Sequence, residues 1–242
     1  MRVYQHSDET FDIPEWLQVG EELLPLVIKR HKLAKRICLR YDPTGHSINL
    51  TLPRHARMSE GLHFLTLKTQ WLMTTLQEMP IKKQIKPGVV IPLFGERVRI
   101  KHDESLRCAW KLEDDVLTVS GKREHFERRV MDAIRKMAKK HITDLAHYQS
   151  RRIGRVVRRV SVRDTRSRWG SCSSVGNLSF SWRLIFAPYE VFEYVVAHEV
   201  SHLRHMNHGE RFWQLCEFLC PNYEVAKEWL RVHGKELYRF NA

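Results

Sequence analysis

No apolar run in the 242-residue chain approaches the roughly 20 residues that a helix needs to cross a bilayer, so no membrane partner is expected. The N-terminal stretch MRVYQHSDETFDIPEW is polar and partly acidic. It lacks the basic segment followed by an apolar one that marks a secretory signal, and the expected location is therefore cytoplasmic. Cysteine is scarce and scattered: Cys38, Cys108, Cys172, Cys216 and Cys220 are odd in number and never spaced C-x-x-C. That excludes a disulfide framework and a four-cysteine zinc knuckle. Cys216 and Cys220 lie one helical turn apart, a spacing that suits two buried thiols on an apolar helix face as well as a shared ligand. Neither an internal repeat nor a low-complexity tract is evident. Acid is in short supply, with 28 Asp and Glu against 41 Lys and Arg, a formal charge of +13. Residues 1–121 hold 18 basic and 15 acidic side chains, net +3, and residues 122–242 hold 23 and 13, net +10. The excess sits in the second half, as a polyanionic partner would require, although basic enzymes without one are common.

What is present is enough for a packed core, since 43% of residues are apolar. The pattern predicts an α+β protein with two regions, 1–121 and 122–242. The first reads as β-rich. Strands are expected over Leu26–Lys29, Arg36–Tyr41 and Ser47–Leu52, the last two joined by the turn Asp42-Pro43-Thr44-Gly45. A helix is expected from about Ser59 to Gln77, then short strands over Val89–Leu93, Arg97–Lys101 and Val116–Val119. From residue 123 the period changes: Phe126, Val130, Ala133, Ile134, Met137, Ile142 and Leu145 recur every three or four, a long amphipathic helix to about residue 150. Val160–Thr165 and Asn177–Trp182 read as strands, and Trp169–Cys172 as a tight connection between them. Further helices are expected from Pro188, from about Glu210, and after Asn222.

The segment His198-Glu199-Val200-Ser201-His202 carries the chemistry. Residues four apart share a helix face, so the imidazoles of His198 and His202 can reach one ion. Neutral imidazole is a good ligand for Zn²⁺, and a catalytic zinc site wants three protein ligands and one open position. Glu199 need not bind the metal and can take a proton from the water there. His208 follows Asn207, which can end a helix, and is placed to fold back as the third ligand. His205 is better read as a helix-end cation or a supporting group. The plain alternative is a helix that merely happens to be rich in histidine.

Two blocks, SRWGSCSSVGNLSFSWRLIFAP (Ser167–Pro188) and VVAHEVSHLRHMNHGERFW (Val195–Trp213), with KRHKLAKRICLRYDPTG (Lys29–Gly45) upstream, resemble the YgjP-like, SprT-like zinc metallopeptidases. The likeness extends over most of the chain. It implies a β-rich N-terminal region followed by a minimal zincin-like metallopeptidase domain with an HExxH active-site helix. By position it implies His198, His202 and His208 as ligands of one zinc ion per chain and Glu199 as the base, with a protein or peptide as substrate. Zincins commonly add the substrate's extended backbone to an edge strand beside the metal. Asn177–Trp182 alternates apolar with polar, so Asn177, Leu178, Ser179 and Phe180 are the candidate substrate-binding residues; an ordinary core strand is the alternative.

Eight arginines, Arg151, Arg152, Arg155, Arg158, Arg159, Arg163, Arg166 and Arg168, fall within 18 residues against one acid, Asp164. Guanidinium forks suit phosphate. Arg151, Arg152, Arg155, Arg158 and Arg159 are therefore candidate contacts to DNA or another nucleic acid. A solvated basic surface, or pairing with acids such as Glu190 and Glu193, is the equal alternative.

The expected activity is hydrolysis of peptide bonds by a metal-activated water with Glu199 as general base, extending to substrates associated with nucleic acid. Two rivals stand beside it. Some members of the family are described as nucleotide pyrophosphatases, and a metal-dependent phosphohydrolase would use the arginines; but Mg²⁺-assisted phosphate chemistry prefers carboxylates to three histidines. A non-enzymatic nucleic-acid-binding module with a structural zinc would want a fourth protein ligand and would leave Glu199 without a task.

Overall fold

The computed structural model describes residues 14–165 and 168–240. The N-terminal segment that bears on a secretory signal, and Arg166 and Ser167, lie outside these residues. The fold is mixed α+β, with β-rich sheets first and helices after. No helix among the described residues is long and apolar enough to cross a membrane.

The chain divides into two compact units that part at Pro80/Ile81. In the first, β1 (Trp16–Val19), β2 (Glu22–His31), β3 (Cys38–Asp42) and β4 (Ser47–Pro53) form one sheet in the order β1-β2-β4-β3. Two antiparallel hairpins lie side by side, with β2 and β4 parallel at the centre. Ile48, Leu50 and Leu52 of β4 are fully buried, as alternate residues of a central strand are. Helices α1 (Met58–Leu67) and α2 (Thr69–Gln77) cover them with Leu65 and Leu72. The single helix expected over 59–77 is thus two, broken at Lys68, whose backbone leaves the helical region.

The second unit opens with the same arrangement. β5 (Val90–Leu93), β6 (Glu96–His102), β7 (Trp110–Glu113) and β8 (Val116–Val119) run in the order β5-β6-β8-β7, again two antiparallel hairpins with their inner strands parallel. The repetition is one of topology. It is invisible in the sequence because strand alternation and a tight turn are all the two copies need to share. The turns themselves differ: Asp114 and Asp115 both adopt positive φ between β7 and β8. A tight hairpin tolerates Asp there, but Asp-Asp is a weaker signal than Asn-Gly. That, together with the exposed Lys111 and Glu113, hides β7 from sequence reading.

The expected boundary near Gly121 is therefore displaced to Pro80. Gly121 marks a change of secondary structure but not of core. Ile91, Val98, Ile100, Leu117 and Val119 share one cluster with Val130, Ile134 and Ala138 of the 27-residue helix α3 (Phe126–Arg152). After α3 comes a three-stranded sheet of β9 (Arg159–Arg163), β10 (Gly170–Cys172) and β11 (Asn177–Ser181). Its order is β10-β11-β9, so β10 is an edge and β11 the centre. A 3₁₀ turn over Trp182–Phe186 leads into α4 (Tyr189–Ser201), α5 (Glu210–Leu219) and α6 (Tyr223–His233).

Arg183, in that turn, is fully buried. Its Nε and Nη2 donate to the two carboxylate oxygens of Asp164 at 2.8 and 3.2 Å, and Nη1 donates to the Phe240 carbonyl at 2.7 Å. Trp182 and Tyr238 lie against the guanidinium at 4.6 and 5.0 Å. One side chain thus ties the end of β9 to the C-terminal segment. Asp164→Ala leaves that cation buried without its counter-charge, and we expect a loss of about 3 kcal/mol or more. In thermal denaturation this is a melting temperature lower by about 6 °C or more; an unchanged midpoint would remove the ion pair from the account of stability.

Candidate metal centre

Helix α4 is buried on nearly every side, through Val191, Phe192, Val195, Val196 and Val200. Its β-branched residues are modest helix formers, so packing holds it rather than propensity. His198 and Glu199 occupy its last turn, and His202 is its C-cap, still in helical conformation and donating its N–H to the His198 carbonyl. The i, i+4 relation survives although the helix ends well before Asn207. Beyond it the chain turns through Leu203 and Arg204 to His208, and α5 begins after Gly209.

Ligand-capable nitrogens of His198, His202 and His208 all lie within 4.8 Å of one another. Nε2 of His198 and Nε2 of His208 are 3.1 Å apart. Two nitrogens about 2.05 Å from one ion in tetrahedral array are separated by roughly 3.3 Å, so the spacing suits a shared cation. Nδ1 of His202 lies 2.9 Å from the His205 carbonyl, which can only accept. The proton therefore sits on Nδ1, and the Nε2 lone pair remains for a metal, as in ligating histidines generally. His205 contributes its backbone here, not its ring. Burial, and then the neighbouring imidazoles, push His198 down to about 3, and burial lowers His202 as well. Both are in the neutral form that binds metals.

The cluster has an aromatic floor. Phe212, fully buried, places its ring 4.9, 4.6 and 4.7 Å from those of His198, His202 and His208. Trp213 donates its indole N–H to the His208 carbonyl at 3.1 Å and stacks on Tyr223 at 5.4 Å. Both residues sit in the first turn of α5, four and five positions after His208, which fixes where the exposed third imidazole can go. Sequence reasoning gave them no role, although they lie inside the His-rich block.

Glu199 is only 6% exposed. Burial raises its carboxyl to about 7, with the Arg168 guanidinium opposing. It lies against the backbone of Gly170 on β10: a Cβ there would stand 2.5 Å from Cγ and 2.6 Å from Oε1 of Glu199. Glycine at 170 is thus a requirement of space for the carboxylate, a signal present in the sequence but unreadable without knowing that β10 meets α4. The Cys172 thiol is pushed up to about 11 by burial and by Glu199, which disfavours a nucleophilic thiolate.

One expectation needs correction. Asn177, Leu178, Ser179 and Phe180 do not form an edge. β11 pairs with β10 on one side and β9 on the other, and Leu178 and Phe180 are core residues. The strand beside Glu199 with no strand on its outer side among the described residues is β10, which the sequence made look like a connection. Of the arginines, Arg152 stays exposed but is tied to the end of α5. Its guanidinium donates to the carbonyls of Phe218 and Leu219 at the end of α5, at 3.2 and 3.4 Å, and lies 4.9 Å from the Phe218 ring. Its charge also helps hold the carboxyl of Glu193 down against the rise that burial causes. Arg151, Arg155, Arg158 and Arg159 are exposed.

The chain should bind one divalent metal ion. His198→Ala, His202→Ala and His208→Ala should each weaken that binding by about ten-fold or more, while His205→Ala leaves it within about two-fold, since only the carbonyl of His205 touches the cluster. Titration against a competing chelator reads this directly, and an equal loss in His205→Ala would overturn the assignment of the third donor.

Comparison with known proteins bears on the family. The pattern of the YgjP-like family, described as "YgjP-like, metallopeptidase domain", matches residues 35–233. No curated protein gives a match. A solved structure, that of the metallopeptidase zymogen of Pyrococcus abyssi abylysin, is similar at 23% identity, covering 42% of this chain and 99% of that one, with a TM-score of 0.35. With the family pattern spanning most of its length, the chain belongs to the YgjP-like metallopeptidases.

Proposed function

We propose that the protein is a zinc-dependent peptidase of minimal zincin type, with α4 as its active-site helix, His198, His202 and His208 as ligands of one Zn²⁺ per chain, and Glu199 as general base. The observation that carries this reading is the position of Glu199. It is a nearly buried carboxylate next to the first imidazole of the cluster, and it packs on the backbone of an edge strand. Bound zinc would lower the pKa of a water towards about 7 and polarise a carbonyl. Glu199 accepts the proton of the attacking water and delivers it to the departing amine nitrogen. Gly170–Cys172 offers backbone N–H and C=O groups to an extended peptide, and Gly170 brings that peptide up to the carboxylate. Phe212 and Trp213 keep the imidazoles oriented and shield their inner side from water.

The edge strand favours a peptide over a pyrophosphate, which has no backbone amides to pair with it. The grouped donors are three imidazoles and no carboxylate, which suits zinc better than magnesium. A purely structural zinc is disfavoured because no fourth protein donor joins the group among the described residues.

The test is cleavage of casein and of UTP, side by side, by the zinc-loaded protein. Casein should be cut and UTP left intact; the reverse would establish a phosphohydrolase instead. Glu199→Gln should keep its zinc and lose about 100-fold or more in casein turnover. Gly170→Ala should also keep zinc and lose activity, because its methyl group displaces the carboxylate. Wild-type turnover in a zinc-loaded Glu199→Gln protein would end the general-base assignment.

A further inference from the structure

A cleft of about 460 Å³ opens beside His202, within the range of about 300–1,000 Å³ usual for ligand pockets. Three turns wall it. The first follows α3, where Gly154 at positive φ ends the helix. The Gly154 N–H bonds to the Arg151 carbonyl and the Arg155 N–H to the Ser150 carbonyl, the paired bonds of a Schellman motif. The second is the turn directly after β10, closed by the Gly176 N–H on the Ser173 carbonyl. The third follows α4 and is held by the Arg204 N–H on the Ser201 carbonyl. Each wall has its own backbone hydrogen bonds, so the cleft stands without a ligand.

The charges in its lining are one-sided. Arg155 and Arg204 line it, and no carboxylate does. Between them stand apolar side chains left unusually open for their type, Val156 at 87%, Val175 at 57% and Met206 at 50% exposure. Two guanidiniums over an apolar surface match a side chain with an aliphatic stem and a carboxylate end. The position matters as much. His202 forms one wall and the turn after the edge strand another, so the cleft adjoins both the imidazole cluster and the end of β10.

We infer that this cleft is the specificity pocket of the peptidase and takes an acidic side chain, Glu or Asp, from a substrate residue close to the scissile bond. The inference rests on the peptidase reading for its substrate class, but the pocket's preference is measurable without turnover. The experiment uses the zinc-loaded Glu199→Gln protein and fluorescein-labelled peptides of one sequence in which a single Glu, Lys or Ala is moved through successive positions. At one position the Glu peptide should bind about ten-fold or more tighter than its Lys counterpart, and added salt should narrow the gap. Arg155→Glu combined with Arg204→Glu, both at exposed positions, should invert the order at that same position, the signature of a charge-selective pocket. Affinity indifferent to charge at every position, or a Glu preference that survives the double reversal, overturns the proposal. So does a short single-stranded oligonucleotide that displaces the Glu peptide and depends more strongly on Arg155 and Arg204, because it reassigns those guanidiniums to phosphate. Failure of the two readings is distinguishable. A charge preference in binding with no peptide cut by the wild type sinks the peptidase and leaves the pocket. Peptide cleavage with no charge preference does the opposite.

Discussion

The guanidinium of Arg183 is the fixed point of the second unit. A permanently charged group with no exposure to water is tolerable only if its donors are nearly all engaged, and they are, by Asp164 just after β9 and by the Leu237 and Phe240 carbonyls of the C-terminal segment, with the rings of Trp182 and Tyr238 packed against it. This requirement decides where β9, the 3₁₀ turn after β11 and the C-terminal segment meet. Tyr238, which packs on the guanidinium, also donates to the Thr165 carbonyl and faces Trp169 at 5.4 Å. Trp169 immediately precedes Gly170. The clamp therefore reaches the edge strand through two further contacts, and the edge strand is what Glu199 rests on.

The histidine cluster follows a complementary rule. His198, His202 and Glu199 are shifted by burial more than by neighbouring charges. Phe212 lies against all three imidazoles, and the burial of His198 holds it unprotonated and able to donate a lone pair. The same desolvation moves Glu199 into the range in which a carboxylate can both accept and release a proton near neutrality. The aromatic floor from α5 helps to orient the three imidazoles of the cluster.

Much of this was legible in the sequence, for identifiable reasons. The long helix α3 could be read because its apolar residues keep one period over 27 positions. The pair His198 and His202 could be read because helical geometry converts a spacing of four into a shared face, and the flanking block indicated the family. Other features resisted. β10 is three residues of Gly, Ser and Cys with no alternation to detect. β11 alternates well, but alternation cannot tell a central strand from an edge. Arg152 looked like its neighbours until α5 placed two carbonyls beside it. The unit boundary was misread because a switch from strands to a helix resembles a boundary when the shared core is out of sight.

Local patterns therefore determined most of the helices and strands, which residues could bind a metal, and that one glutamate adjoins them. These properties depend on neighbours within about one or two helical turns, and a sequence displays them directly. Tertiary structure alone decided which strand is the edge, which arginine reaches the end of α5, why residue 170 must lack a side chain, and where a one-signed cleft opens beside His202. Those are contacts between segments far apart in the chain. They are set by how buried charges and apolar faces are satisfied together, and no local pattern encodes that.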